Sequence, residues 1–339
     1  MTTRDATVLD FVRHAVDLWD QFWFTPRTVE TLAGLRIFTG AMLLYSHVVL
    51  ASDLSAFLGP DALIDNATSK ALQDGSYAPA TAVWSSLWFI DSSSGLWLHH
   101  GFTIGVTLAF TIGLLTRITG VLAVIAQWML LHRLFGALFG LDQIVTYSAM
   151  YLAITPCGAV WSVDAWWRNR QTSPDENRSR WKRFLFPDDI ESTSATIGTR
   201  LLQIHLCVIY LFGGLAKSRG QMWWDGTALW YAVSNYEYQS FDLTFLSPYP
   251  VLFTGLTHVT LLWEIFYVAL VWPKITRWFA VGLAVAVHGG IATFLGMATF
   301  GLMMIAANAI FLSPVWIRKW RLQNQDASHP VKVKRPKVR

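Results

Sequence analysis

Charge is scarce in this 339-residue chain. Lys, Arg, Asp and Glu together make up 14% of it, against about a quarter in ordinary soluble domains. A water-soluble protein of this length needs more charge to stay in solution, which argues against a pair of soluble domains. Cysteine is nearly absent. Cys157 closes one apolar run and Cys207 lies within another; neither is surrounded by ligand spacing, so no disulfide framework and no metal site is expected. A Gly-rich phosphate loop is missing, as are the His-x-x-His-His boxes of membrane di-iron desaturases and a Ser nucleophile elbow. The first 30 residues lack the unbroken apolar stretch of a secretory signal, being interrupted by Arg4, Asp5, Arg13, Asp17, Asp20 and Arg27.

Apolar residues, by contrast, make up 53% of the chain, and there are 18 tryptophans. Trp favours the headgroup layer of a bilayer, and Trp161, Trp166, Trp167, Trp223, Trp224, Trp230, Trp316 and Trp320 fall near the ends of apolar runs. A crossing takes about 20 mostly apolar residues. Candidate runs lie at 31–51, 97–116, 118–137, 141–160, 200–217, 251–272, 276–295 and 298–314. The last two form one uncharged stretch in which Gly289, Gly290, Gly296 and Gly301 offer places to turn. The expected fold is all-α: a polytopic membrane helix bundle of about eight transmembrane helices. Val8, Phe11, Val12, Ala15, Trp19, Phe22 and Trp23 recur at helical spacing ahead of Pro26, which predicts an interfacial amphipathic helix over 1–30. Residues 31–316 form the transmembrane domain, and 317–339 read as a basic, disordered tail.

Lys and Arg set the orientation. Arg168, Arg170, Arg178, Arg180, Lys182 and Arg183 crowd the segment 161–199, and further basic residues follow Trp316. Arg117, Lys274 and Arg277 sit in tight connections, while 52–96 holds Lys70 and five Asp. With both termini cytoplasmic, a multi-pass inner-membrane protein places every basic connection inside and 52–96 and 218–250 outside. The basic residues flank spans rather than form a face, so membrane lipid and not nucleic acid is the expected partner.

Ionisable groups within spans are costly and become functional candidates. Arg36, Asp142, His205, Lys217, Glu264 and His288 are the main ones. Lys217 ends an apolar helix, where it can snorkel to the headgroups or, if partly buried, serve as a base. Tyr210 lies seven residues earlier on the same face. Glu264, mid-span, must pair or be protonated, with Arg36 and Lys217 as possible partners. His288 is either a satisfied core residue or a group that binds a polar ligand.

Three segments resemble the vitamin K-dependent γ-carboxylase superfamily, in particular its bacterial membrane-only members, the horizontally transferred transmembrane (HTTM) family. Tyr210-Leu-Phe-Gly-Gly-Leu-Ala-Lys217 with Trp223-Trp-Asp-Gly226 is similar to the family's segment around its base lysine. His288, Phe294, Gly296, Met297, Phe300, Phe311, Pro314 and Trp316 are similar to its histidine-led closing span. Leu152-x-x-Thr-Pro156 with Ser162-Val-Asp164 looks like its mid-domain span end, and Glu264 matches an acidic position. The resemblance implies that Lys217 is the base and His288 a supporting catalytic group. It implies that Tyr210, Trp224, Asp225 and Glu264 contact substrate or cofactor. It further implies that reduced vitamin K or another membrane quinol is the cofactor, with a protein or peptide substrate on the outer face. The family also uses a histidine near the start of the fourth span; here Phe139-Gly-Leu-Asp-Gln143 has none. The implied activities are γ-glutamyl carboxylation or quinol epoxidation. The other reading is a non-catalytic membrane carrier or assembly factor that keeps the fold; no internal repeat of the transporter kind is present.

Overall fold

The computed structural model describes residues 3–73, 83–170, 179–188 and 190–328. Asp74, Arg178 and the end of the basic tail lie outside them. Among the described residues every regular element is a helix, with one isolated antiparallel bridge between Arg27 and Ser192. The longer helices are α1 (Thr3–Phe24), α2 (Glu30–Ala51), α3 (Ser93–Ile112), α4 (Thr116–Arg133), α5 (Gly140–Ala153), α6 (Thr193–Lys217), α7 (Pro250–Leu270), α8 (Lys274–Phe294), α9 (Ala298–Asn308) and α10 (Pro314–Ser328). Of these, α2, α6, α7 and α8 are long and apolar enough to cross a bilayer. Their outward faces are apolar too: Phe212, Phe266, Trp278 and Phe279 are all more than half exposed, an arrangement unfavourable in water.

The bundle has two halves. Helix α2 packs on α3, α3 on α4 and α4 on α5; α6 packs on α7, α7 on α8 and α8 on α9. Helix α9 then lies against α2 and α5, and α6 against α5. One apolar core runs through both halves and includes Leu43, Phe110, Val145, Leu206, Tyr267, Met303 and Phe311.

Two expected spans are shorter than the apolar runs suggested. Helix α5 stops at Ala153, although the run continues to Val160. Pro156 opposes further helix, and side chains take over the carbonyls that a next turn would bond. Arg36 donates to Cys157 O (3.3 Å) and Trp161 O (2.6 Å), and Arg168 to Ala159 O (2.9 Å). Asp164 closes the same turn onto the start of α4, accepting from Leu115 N (2.8 Å), Thr116 N (2.9 Å) and Thr116 Oγ1 (2.6 Å). Helix α9 ends at Asn308, one 3₁₀ turn follows, and Pro314 opens α10.

Helix α10 corrects the reading of 317–339 as disordered, since 317–328 are helical. Arg321, 7% exposed, forms an ion pair at 2.9 Å with the fully buried Glu30 at the start of α2 and so ties this helix down. Of the four glycines in the uncharged stretch, Gly296 makes the turn, at φ +68°. Gly301 permits close packing of α9 on α8: a Cβ there would stand 2.4 Å from the His288 carbonyl oxygen. Gly301→Ala is expected to destabilise the detergent-solubilised protein by about 1–3 kcal/mol through overpacking. Gly255→Ala, where a Cβ meets nothing within 4 Å, should be neutral or slightly stabilising. Thermal unfolding of the two variants checks this; equal melting temperatures would refute the close-packing argument.

Candidate functional site

Lys217 is the last residue of α6, and Glu264 sits well inside α7. The two helices cross closely at Gly214. A Cβ there would lie 2.9 Å from Ile265 N and 3.2 Å from Glu264 Cβ, so a larger residue would force them apart. That approach lets the Lys217 ammonium donate to both carboxylate oxygens of Glu264, at 2.9 and 2.7 Å. The Lys217 side chain is 32% exposed and that of Glu264 is 8% exposed. The pair therefore has one partner near the surface and one inside. Lys217 Nζ also lies 5.6 Å from the centroid of the Trp223 ring, a cation–π distance.

Two turns before Lys217 on the same face, Tyr210 begins a buried polar chain. Tyr267 Oη donates to Asn308 Oδ1 (2.6 Å), Asn308 Nδ2 donates to Tyr210 Oη (2.7 Å), and Tyr210 Oη lies 2.8 Å from His288 Nε2. Because Tyr210 already accepts from Asn308, its own proton points to His288 Nε2. The imidazole proton then belongs on Nδ1, and that nitrogen is buried without a partner. Aromatic rings wall the chain. Tyr210 is 4.9 Å from Trp263 and 4.2 Å from Tyr267, and His288 is 5.8 Å from Phe300, centroid to centroid.

The structure thus joins four of the six expected site residues into two bonded pairs, Lys217–Glu264 and Tyr210–His288, whose α6 members lie two turns apart. No hydrogen bond links the pairs to each other. Trp224 and Asp225 are not drawn in. Both are exposed; the Trp224 indole N–H donates to Ser218 O (2.7 Å) and its carbonyl lies 3.0 Å from His258 Nε2. The adjacent Trp223 is the ring that faces the lysine. Arg36, considered as a partner for Glu264, is spent on the carbonyls after α5. Asp142 caps α5 by accepting from Phe139 N (2.9 Å), and His205 bonds Tyr151 (2.9 Å). The segment Phe139–Gln143 still reaches the site indirectly, as Phe139 stacks on Phe300 (5.9 Å).

Sequence reasoning missed Asn308, Tyr267 and Trp263 as parts of this arrangement, and named Phe300 only within the histidine-led closing span. A signal existed for two of them. Asn308 is an amide stranded in an otherwise apolar run, and Tyr267 follows Glu264 at i+3, on one helical face. No protein-family model, curated protein or solved structure matches the chain.

The geometry makes a stability prediction. Removing one member of a buried ion pair leaves the other charge uncompensated. Lys217→Met should therefore lower the melting temperature more than the double variant Lys217→Met/Glu264→Gln does, with a coupling of about 0.5–3 kcal/mol in a double-mutant cycle. Strict additivity would show that the pair is not formed in solution.

Proposed function

We propose that the chain is a multi-pass inner-membrane enzyme of the carboxylase-like, HTTM-type group, acting on a membrane quinol with Lys217 as base. In this reading eight segments cross, both termini are cytoplasmic, and Lys217 lies near the outer face. The shorter helices α5 and α9 sit among the others, where backbone outside regular helix is tolerated because protein rather than lipid surrounds it. The observation that carries the reading is the Lys217–Glu264 pair, set at a helix end beside a buried, ring-walled Tyr210–His288 pair.

Quinols partition into bilayers, and a helix-end lysine stands where a quinol headgroup and an external substrate can meet. The ion pair is a proton-accepting unit. As Lys217 takes a proton from a quinol hydroxyl, it passes its own to Glu264, leaving an ammonium beside a neutral acid. A quinol bound there would supply O₂-dependent epoxidation, with water as the other product, and the basicity that γ-glutamyl carboxylation by CO₂ would require. His288, oriented by Tyr210, offers its free Nδ1–H to a developing oxyanion.

One observation favours the non-catalytic alternative, a carrier or assembly factor: Lys217 is already satisfied by both Glu264 oxygens. Purified protein in detergent with vitamin K hydroquinone, O₂ and labelled bicarbonate separates the two. The expected result is epoxide formation that falls by about a hundredfold or more in Lys217→Ala. Full turnover in that variant would remove Lys217 as base, and absence of quinol binding by the wild type would favour the carrier.

A further inference from the structure

A second polar centre lies at the other end of α6 from Lys217, about 25 Å away at 1.5 Å per residue. There Arg27, Arg200 and Arg277 line one cavity of about 390 Å³ together with Thr28, Glu191 and Trp272. Three separate elements bring the arginines there: the connection between α1 and α2, the early turns of α6, and the first turn of α8.

Their hydrogen bonds leave the charges without a counter-ion. Arg200 Nε donates to Phe22 O (3.0 Å) and Nη1 to Gln203 Oε1 (2.9 Å), while its guanidinium stacks 4.1 Å from the Phe22 ring. Arg277 Nε donates to Val271 O (3.0 Å) and Nη2 to Trp272 O (2.6 Å). All these acceptors are neutral. Arg27 makes no side-chain hydrogen bond among the described residues. The one acid lining the cavity, Glu191, is paired with Arg318 at 3.3 Å and is more than half exposed. Burial, and then the Arg277 guanidinium, hold Arg27 below the ordinary arginine value, as expected for cations crowded together. Thr28, 8% exposed, has an Oγ1 without a partner.

Topology alone accounts for arginines near this end of the bundle, but not for three converging on one cavity. Like charges held together raise the free energy of the folded state. An anion among them reverses the sign, and guanidiniums match phosphate geometry well. Phe311, Leu312 and Val315 give the same cavity an apolar side.

We propose that this cavity is a binding site for a phosphate group, held by Arg27, Arg200 and Arg277, with the Thr28 hydroxyl as a further donor. The phosphate belongs either to an anionic lipid headgroup at the membrane surface or to a soluble phosphate compound, and the two sources are separable. Thermal unfolding of the full chain in neutral detergent is followed while phosphatidylglycerol, phosphatidylcholine or inorganic phosphate is titrated at constant ionic strength. Saturable stabilisation by phosphatidylglycerol and not by phosphatidylcholine supports the site with a lipid source; stabilisation by inorganic phosphate as well supports a soluble one. Arg27→Gln and Arg277→Gln should each raise the half-saturating concentration at least tenfold. Arg13→Gln, on the exposed face of α1, should leave it unchanged. Arg277 also holds the two carbonyls that follow α7, so if its variant fails to fold, Arg27→Gln decides alone. Equal stabilisation by both lipids and none by phosphate, or unchanged half-saturation in Arg27→Gln, overturns the proposal.

Discussion

The close crossing of α6 and α7 at Gly214 is the contact on which the candidate site depends. With no Cβ at this position, the two backbones approach until Ile265 N would lie 2.9 Å from one. Only at that separation does Lys217, at the end of one helix, reach a carboxylate placed well inside the next. The same approach brings Tyr210 against Trp263 and Tyr267, and Tyr267 in turn holds Asn308. The ion pair and the polar chain are thus two consequences of one small residue. Within a bilayer, apolar packing alone would not specify this register, because there lipid tails would satisfy apolar helix faces as well as a neighbouring helix does.

Several buried charged groups act as fasteners inside the bundle. Arg36 and Asp164 act as complementary staples, one donating to the carbonyls that follow α5 and the other accepting from the amides that begin α4. Glu30 and Arg321 pair with each other and so join the start of α2 to α10. These residues hold turns and ends in place, and their burial is explained by that work. Burial of a charge therefore does not mark a functional residue in this protein. The Lys217 and His288 region combines a partly exposed member of an ion pair with an unpartnered imidazole nitrogen, on the histidine bonded to Tyr210 two turns away along α6.

Much of this was legible in the sequence, and the failures have physical causes. The apolar runs located the bundle helices well, because these helices are apolar on their outward as well as their inward faces. The same signal overran α5, since Ile154–Val160 is apolar in composition but is turned by Pro156 and by arginine bonds from distant positions. The segment after Trp316 looked disordered because its composition is basic. Two long-range pairs, Arg321 with Glu30 and Arg318 with Glu191, tie down its first part, and no local pattern announces such pairs. Lys217, Glu264, Tyr210 and His288 were each visible as polar groups in apolar surroundings. Their partners were not, because pairing depends on helix rotation and close approach. Trp223 and Trp224 make the point at its smallest scale: neighbouring positions differ by about 100° around a helix, and only the structure chooses between them.

The polarity of α6 links these observations. One helix carries a cation at each end, Arg200 and Lys217, in opposite circumstances. Lys217 is neutralised by a dedicated carboxylate and sits against rings, so its proton can move within a pair whose total charge is small. Arg200 keeps its charge and is joined by two more guanidiniums, with neutral acceptors only. A proton-transfer group needs a partner that can take the proton, whereas an anion site needs cations that cannot lose theirs. Lysine with glutamate meets the first condition, and arginine, which stays protonated at any physiological pH, meets the second. The residue types at the two ends of α6 are therefore those that the two proposed tasks require, and the length of the helix keeps the charge of one from disturbing the other.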